Sequence, residues 1–181
     1  MQRPKARLDA EALWGYAVRA LSGRAHSQGE LRQKLRRKAA HAPDVDAVLA
    51  RLKEYGYLND LKFAEMLATS RMENQGFGRA RVTRELRQRR VAPSLADQVT
   101  ARVFADTDEI AMIQAFLSRK YRNVVLSEFL KERRNLASAY RRLRMAGFGS
   151  GNVIRVLKGF TEEAEILESL DTEHTEPGAD R

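Results

Sequence analysis

Eight arginines carry the chemistry this sequence is equipped for: Arg36, Arg37, Arg81, Arg84, Arg87, Arg141, Arg142 and Arg144. A guanidinium is permanently charged and presents a planar fork of donors, which fits phosphate and carboxylate equally well. These residues recur at fixed offsets. At about 100° per residue from Val82, the apolar centre of its helix lies between Val82 and Leu86, while Arg84 (near 200°) and Arg87 (near 140°) face away. The same positions 51 residues earlier are Gln33 and Arg36, and 57 residues later they are Arg141 and Arg144. One outward position is thus arginine three times, as Arg36, Arg87 and Arg144, with Arg37, Arg81 and Arg142 beside that line. Such a face points to nucleic acid or to a protein with acidic patches. The bland alternative is three solvated helix faces that tolerate arginine as a good helix former.

Other chemistry is missing. There is no cysteine, and the three histidines, His26, His41 and His174, lie in unrelated settings. None is paired at i, i+4 with another around a carboxylate, so no metal site is expected. No serine lies in a Gly-x-Ser-x-Gly elbow and there is no Walker sequence. Gly76-Phe-Gly78 lacks a preceding strand and a following Gly-Lys-Ser/Thr, so it reads as a left-handed turn. Acids largely partner bases along helices, as Glu30 with Lys34, an ordinary surface pairing. The expectation is a non-enzyme without cofactor.

The elements that position the arginines are helices. Ser27 with Glu30 reads as a capping box opening a helix whose buried face is Leu31 and Leu35 and which runs to Ala42-Pro43. Before it, Asp9 caps a helix striped by Leu13, Ala17, Ala20 and Leu21, weakened slightly by Gly15 and ended by Gly23. After it, Asp44 opens a helix with Val45, Val48, Leu49 and Leu52 at helical spacing. Gly56 ends that helix, with Tyr57 and Leu58 packing back over its last turn. Asn59-Asp60 caps a helix placing Phe63, Met66, Leu67 and Ser70 on one face. An arginine-rich helix follows over 79–90, and then one carrying Ala96, Val99 and Val103.

The pattern is a repeat. Leu31, Leu35, Val48 and Leu52 map onto Val82, Leu86, Val99 and Val103; Val82, Leu86, Val91 and Val99 map onto Ala139, Leu143, Phe148 and Val156. The third copy opens near 106–109 with Ile110, Ile113, Leu117 and Tyr121, and closes with Val153, Val156, Leu157 and Phe160. An extension at 123–134 carries its own apolar set, Val124, Val125, Phe129 and Leu130. No stretch alternates with period two, so no sheet is expected. The fold class is all-α, three tandem three-helix repeats forming an elongated, curved body. The expected boundaries are a basic flexible arm (1–8), repeats at 9–58, 59–105 and 106–160, and an acidic, disordered tail (161–181).

Charge is divided unequally along the chain. Of 181 residues with net charge +9, residues 162–181 hold eight acids against Arg181, so the preceding part is near +16. With 43% hydrophobic residues the chain can build a core, yet aromatics are only 7%, too few to suggest a base-stacking platform. Trp14, Tyr16, Phe77 and Tyr121 read as core or turn residues. Met1–Arg7 has no apolar core behind its charges, so it is not expected to be a signal peptide, and no uncharged run approaches the roughly 18 residues of a membrane span. A cytoplasmic monomer is expected.

Several stretches, in order, resemble the RecX family of bacterial recombinase regulators. They are Ala20-Leu-Ser-Gly-Arg-Ala-His-Ser-Gln-Gly-Glu-Leu31 with Lys34-Leu35, and Arg51-Leu-Lys-Glu-Tyr-Gly-Tyr-Leu-Asn-Asp60 leading to Phe63-Ala64. Gly76-Phe-Gly78 with Glu85-Leu86 follows, and then Gly147-Phe148 ahead of Val153-Ile154. The resemblance implies an all-helical modulator lying in the groove of the RecA–DNA filament, active in recombination, DNA repair and the SOS response. Its implied effect is to inhibit strand exchange and ATPase and to limit filament growth. The implied partners are RecA and single- or double-stranded DNA through the basic face. Departures are the extension at 123–134, the glycines at 15, 23 and 29, and the acidic tail. Two other readings stand beside it. A sequence-nonspecific nucleic-acid-binding protein needs no recombinase; a purely structural helical adaptor explains the repeats but not the clustered arginines.

Overall fold

The computed structural model describes residues 7–160, so the acidic stretch and most of the basic arm lie outside the described residues. Ten helices occur there: α1 (Ala10–Gly23), α2 (Gln28–Arg36), α3 (Ala42–Glu54), α4 (Asp60–Gln75), α5 (Arg79–Gln88), α6 (Pro93–Val103), α7 (Glu109–Lys120), α8 (Leu126–Phe129), α9 (Arg133–Met145) and α10 (Ser150–Lys158). Among the described residues there is no strand, only an isolated bridge between Leu8 and Ala39. That bridge pins Leu8, which the sequence assigned to a free arm, through bonds to Lys38 and Ala40. The fold is an all-α helical repeat.

Local chemistry sets the helix starts. Asp9 accepts from the Ala12 N–H at 2.9 Å, Asn59 from Lys62 at 3.0 Å, and Asp108 from Ile110 at 2.9 Å. Ser27 and Glu30 form the full capping box. α2 ends at Arg36, not at Pro43. That proline sits in the first turn of α3, where its missing N–H leaves no bond unmade. On α4 the buried face is Phe63, Ala64 and Ala68, while Met66 points outward. The small alanines favour close packing there, which turns the helix away from the expected stripe. Of the Gly56 corner only Leu58 is buried, and Tyr57 is exposed. The extension at 123–134 forms the single turn of α8; Leu130 enters the core, and Val124 and Val125 stay out.

Two compact units result. The first comprises the chain to Thr69 together with Arg84–Arg102, the second Ser70–Thr83 together with the chain from Val103. Their boundary cuts α4 and α5. The first has a core of Leu13, Ala17, Leu31, Leu35, Val45, Val48, Leu49 and Leu52. The second is built on Ile113, Leu117, Leu130, Leu136, Tyr140, Leu143, Phe148, Val153 and Leu157.

Inside each unit a helix start meets a helix end. In the first, the start of α2 faces the residues just after α5. Ser27 donates its hydroxyl to the Arg89 carbonyl, and the Arg89 guanidinium grips Glu30 at 2.6 and 3.1 Å. A Cβ on Gly29 would strike the backbone of Arg90, which itself adopts a left-handed φ of 60°. In the second, the start of α5 faces the end of α9. Gly78 N–H donates to the Ala146 carbonyl at 2.8 Å and Ala80 N–H to Gly147 at 3.2 Å. Gly147 has φ +94°, and a Cβ there would fall on the Arg81 nitrogen. By the 57-residue offset, Gly147 and Arg90 occupy equivalent places. The omitted Cβ belongs to Gly29 of α2 in one junction and to Gly147, beyond α9, in the other.

The first junction buries ionisable groups. His26 is 3% exposed. Its Nε2 lies 3.2 Å from the Lys34 ammonium, so the ring proton belongs on Nδ1, which faces Glu30 at 3.4 Å. Burial, then the charges of Arg24 and Lys34, push the imidazole below the ordinary histidine range despite Glu30. Burial pushes the Glu30 carboxyl up, but the hydrogen bond and charge of Arg89, with help from Arg24 and the Ser27 N–H, hold it below the carboxylate range. Glu30 is therefore a junction residue, not the surface partner of Lys34.

Gly147→Ala should cost roughly 2–4 kcal/mol in urea unfolding through its φ and its clash with Arg81. Gly15→Ala, at a half-buried position inside α1 where a Cβ would make only ordinary contact with Arg19, should gain roughly 0.5–1 kcal/mol. Equal behaviour of the two would refute the junction geometry. Acid should also weaken the first unit. Below about pH 6.5 the unfolded chain binds a proton at His26 that the folded chain resists, so stability is full above that pH and declines below it. The Glu30 contribution is lost later, as pH falls through its lowered value. His26→Asn should flatten the melting temperature between pH 7 and 5.5, and an unchanged slope would count against this assignment.

Candidate functional site

The arginines divide by what they touch. In the first unit, Arg36 ends α2, Arg37 caps it, and Arg84 lies on α5; all three are exposed, with no carboxylate among the described residues paired to them. Arg87, also exposed, forks onto Asp97 at 2.7 and 2.8 Å. In the second unit, Arg141 and Arg142 are exposed on α9. Arg144 is half-buried, which corrects its outward assignment. Its Nη1 donates to the Phe148 carbonyl at 2.8 Å, and its buried Nε has no partner among the described residues. It closes the end of its own helix. The three-arginine line thus consists of one free guanidinium, one paired and one structural, with Arg36 and Arg87 in the first unit and Arg144 in the second.

A different group does converge. Arg81, Arg141 and Arg142 line a groove of about 400 Å³ in the second unit, over Phe116, Met145 and Ala146. The Arg81 guanidinium lies 3.6 Å from the centre of the Phe77 ring, which orients it. None of the three pairs with a carboxylate of the described residues. Elsewhere carboxylates do neutralise arginines, as in Arg32 with Asp46, Arg51 with Glu11 and Arg102 with Glu65. Three uncompensated cations around one groove repel one another, a cost that an anionic ligand would relieve.

The aromatic surface was missed in the sequence. Tyr55 and Tyr57 are 59% and 58% exposed, and with Trp14 their ring centres lie 5.8 to 6.5 Å apart. The Arg51 guanidinium stacks 4.0 Å from the Trp14 ring. A signal was available: Leu52 and Leu58 already fill the core around Gly56, which leaves both flanking tyrosines outside. Among the described residues no His/Cys/Asp/Glu group could hold a metal, and no helix is long and apolar enough to cross a membrane.

Comparison with known proteins adds the lineage. Residues 14–52 match the family model of the RecX first three-helix domain, and residues 59–99 that of the second. The regulatory protein RecX of Deinococcus radiodurans is 38% identical over 154 residues, covering 84% of this chain and 70% of that protein. The chain belongs to the RecX family. The RecX of Trichlorobacter lovleyi is 37% identical over 105 residues, covering 58% of this chain and 68% of its own. RecX from Lactobacillus salivarius superposes with a TM-score of 0.63 at 15% identity, over 83% of this chain and 96% of that one, which supports the shared helical fold.

Proposed function

We propose that this chain is a non-catalytic regulator that binds the RecA–DNA filament and lowers its strand exchange, ATPase and growth. The observation that carries the reading is a group of exposed or half-buried guanidiniums without a carboxylate partner among the described residues, Arg36, Arg37, Arg84, Arg81, Arg141 and Arg142, on a RecX-family scaffold. A recombinase filament offers DNA phosphates and protein carboxylates together, and arginine serves both. Binding at several such points would clamp neighbouring parts of a filament and hinder the changes that accompany nucleotide turnover.

The test is RecA's single-strand-dependent ATPase on DNA fully coated with recombinase. Wild-type protein should reduce it at or below stoichiometric amounts. The Arg37→Glu/Arg84→Glu/Arg141→Glu variant, which reverses free charges and leaves Arg87 and Arg144 in place, should lose about tenfold or more in potency. Its melting should stay close to wild type, because exposed helix positions accept glutamate. Excess duplex DNA should leave most of the wild-type inhibition intact. Complete loss of inhibition to that competitor would favour a plain nucleic-acid binder, and full inhibition by the folded variant would overturn the arginine assignment.

A further inference from the structure

We infer that the groove of the second unit is a protein-docking site, which accepts a short acidic segment of the partner with a large apolar side chain set among its carboxylates. This rests on the filament reading and assigns this groove to protein and not to nucleic acid. The walls explain the acids: Arg81, Arg141 and Arg142 surround the groove, and none has a carboxylate partner among the described residues. The floor explains the apolar anchor. Met145 is 66% exposed at the end of α9, outside the buried stripe of Leu136, Ala139, Tyr140 and Leu143.

Stability does not require an apolar residue there. A site for phosphates would gain little from a flexible thioether lying in the open, whereas methionine with arginine and an aromatic is a composition enriched at protein interfaces. Arg81 is held by the Phe77 ring, so this wall is ordered before a ligand arrives. Carboxylates on the incoming segment would relieve the repulsion among the three cations, and its apolar side chain would cover Met145 and Phe116.

The test uses the full chain with Met145→Ser, which changes no charge and removes the exposed anchor contact. Binding is measured by co-sedimentation with RecA–DNA filaments and, separately, by anisotropy with the same DNA alone. Expected is a rise of about fivefold or more in the concentration needed for half-saturation of filaments, with binding to DNA alone unchanged. Arg141→Glu/Arg142→Glu should show the same filament defect. Unchanged melting controls for folding. If wild-type protein co-sediments no better with filaments than with DNA, the proposed function itself fails. If wild type binds filaments but Met145→Ser binds them equally well, the docking site is refuted while the function stands. Equal losses on filaments and on DNA alone would make the groove a nucleic-acid site and overturn the inference.

Discussion

The carboxylate of Glu30 is asked to do several things at once. It accepts the Ser27 N–H at 3.3 Å, holds the fork of Arg89, faces the imidazole of His26, and lies 3.5 Å from Arg24. These bonds tie the positive start of α2 to the chain leaving α5, where carbonyls with no intrahelical partner gather. The equivalent meeting in the second unit dispenses with side chains. Gly78 and Gly147 let the two backbones approach until their own N–H and C=O groups bond. A tandem helical protein has to join its neighbouring middle helices somehow; both junctions here need a glycine where a Cβ would clash, and the first adds a charged network to it.

That requirement divides the arginines. Arg89 belongs to the first junction, Arg144 closes α9, and Arg32, Arg51, Arg87 and Arg102 are neutralised by acids on neighbouring helices. Other arginines have no carboxylate partner among the described residues, and within the second unit three of them gather at one groove. Net charge alone would have credited every arginine to ligand binding. The division matters because a paired arginine cannot turn to a phosphate without leaving its carboxylate behind.

Much of the fold could be read from spacing. The capping box at Ser27, the stripes of α3 and α10, the helix end at Gly56 and the left-handed turn at Gly76 follow from local rules that tertiary packing did not disturb. The failures have local causes too. Pro43 reads as a stop but is also a good first-turn residue, and α4 turned because Ala64 and Ala68 accept closer neighbours than Met66 does. The site was less legible. Outward angle put Arg36, Arg84 and Arg141 on the surface, where they are exposed, but could not show that Asp97 claims Arg87 or that Phe148 claims Arg144. Those partners lie four to ten residues away, at positions fixed by the turn between two helices. The gathering of Arg81 with Arg141 and Arg142 depends on a contact some sixty residues apart in sequence, which no periodicity encodes.

On the proposed function, arginines without a carboxylate partner among the described residues bind the filament, and paired ones hold the fold. Filament affinity across a set of single charge reversals tests it most directly. Arg84→Glu and Arg141→Glu should each weaken binding about fivefold at moderate salt, while leaving thermal stability nearly unchanged. Arg32→Glu and Arg102→Glu, each of which brings two carboxylates together, should lower stability and leave affinity within about twofold of wild type. A similar loss of affinity from every reversal, whether or not its arginine is paired, would contradict the account, because binding would then follow net charge alone.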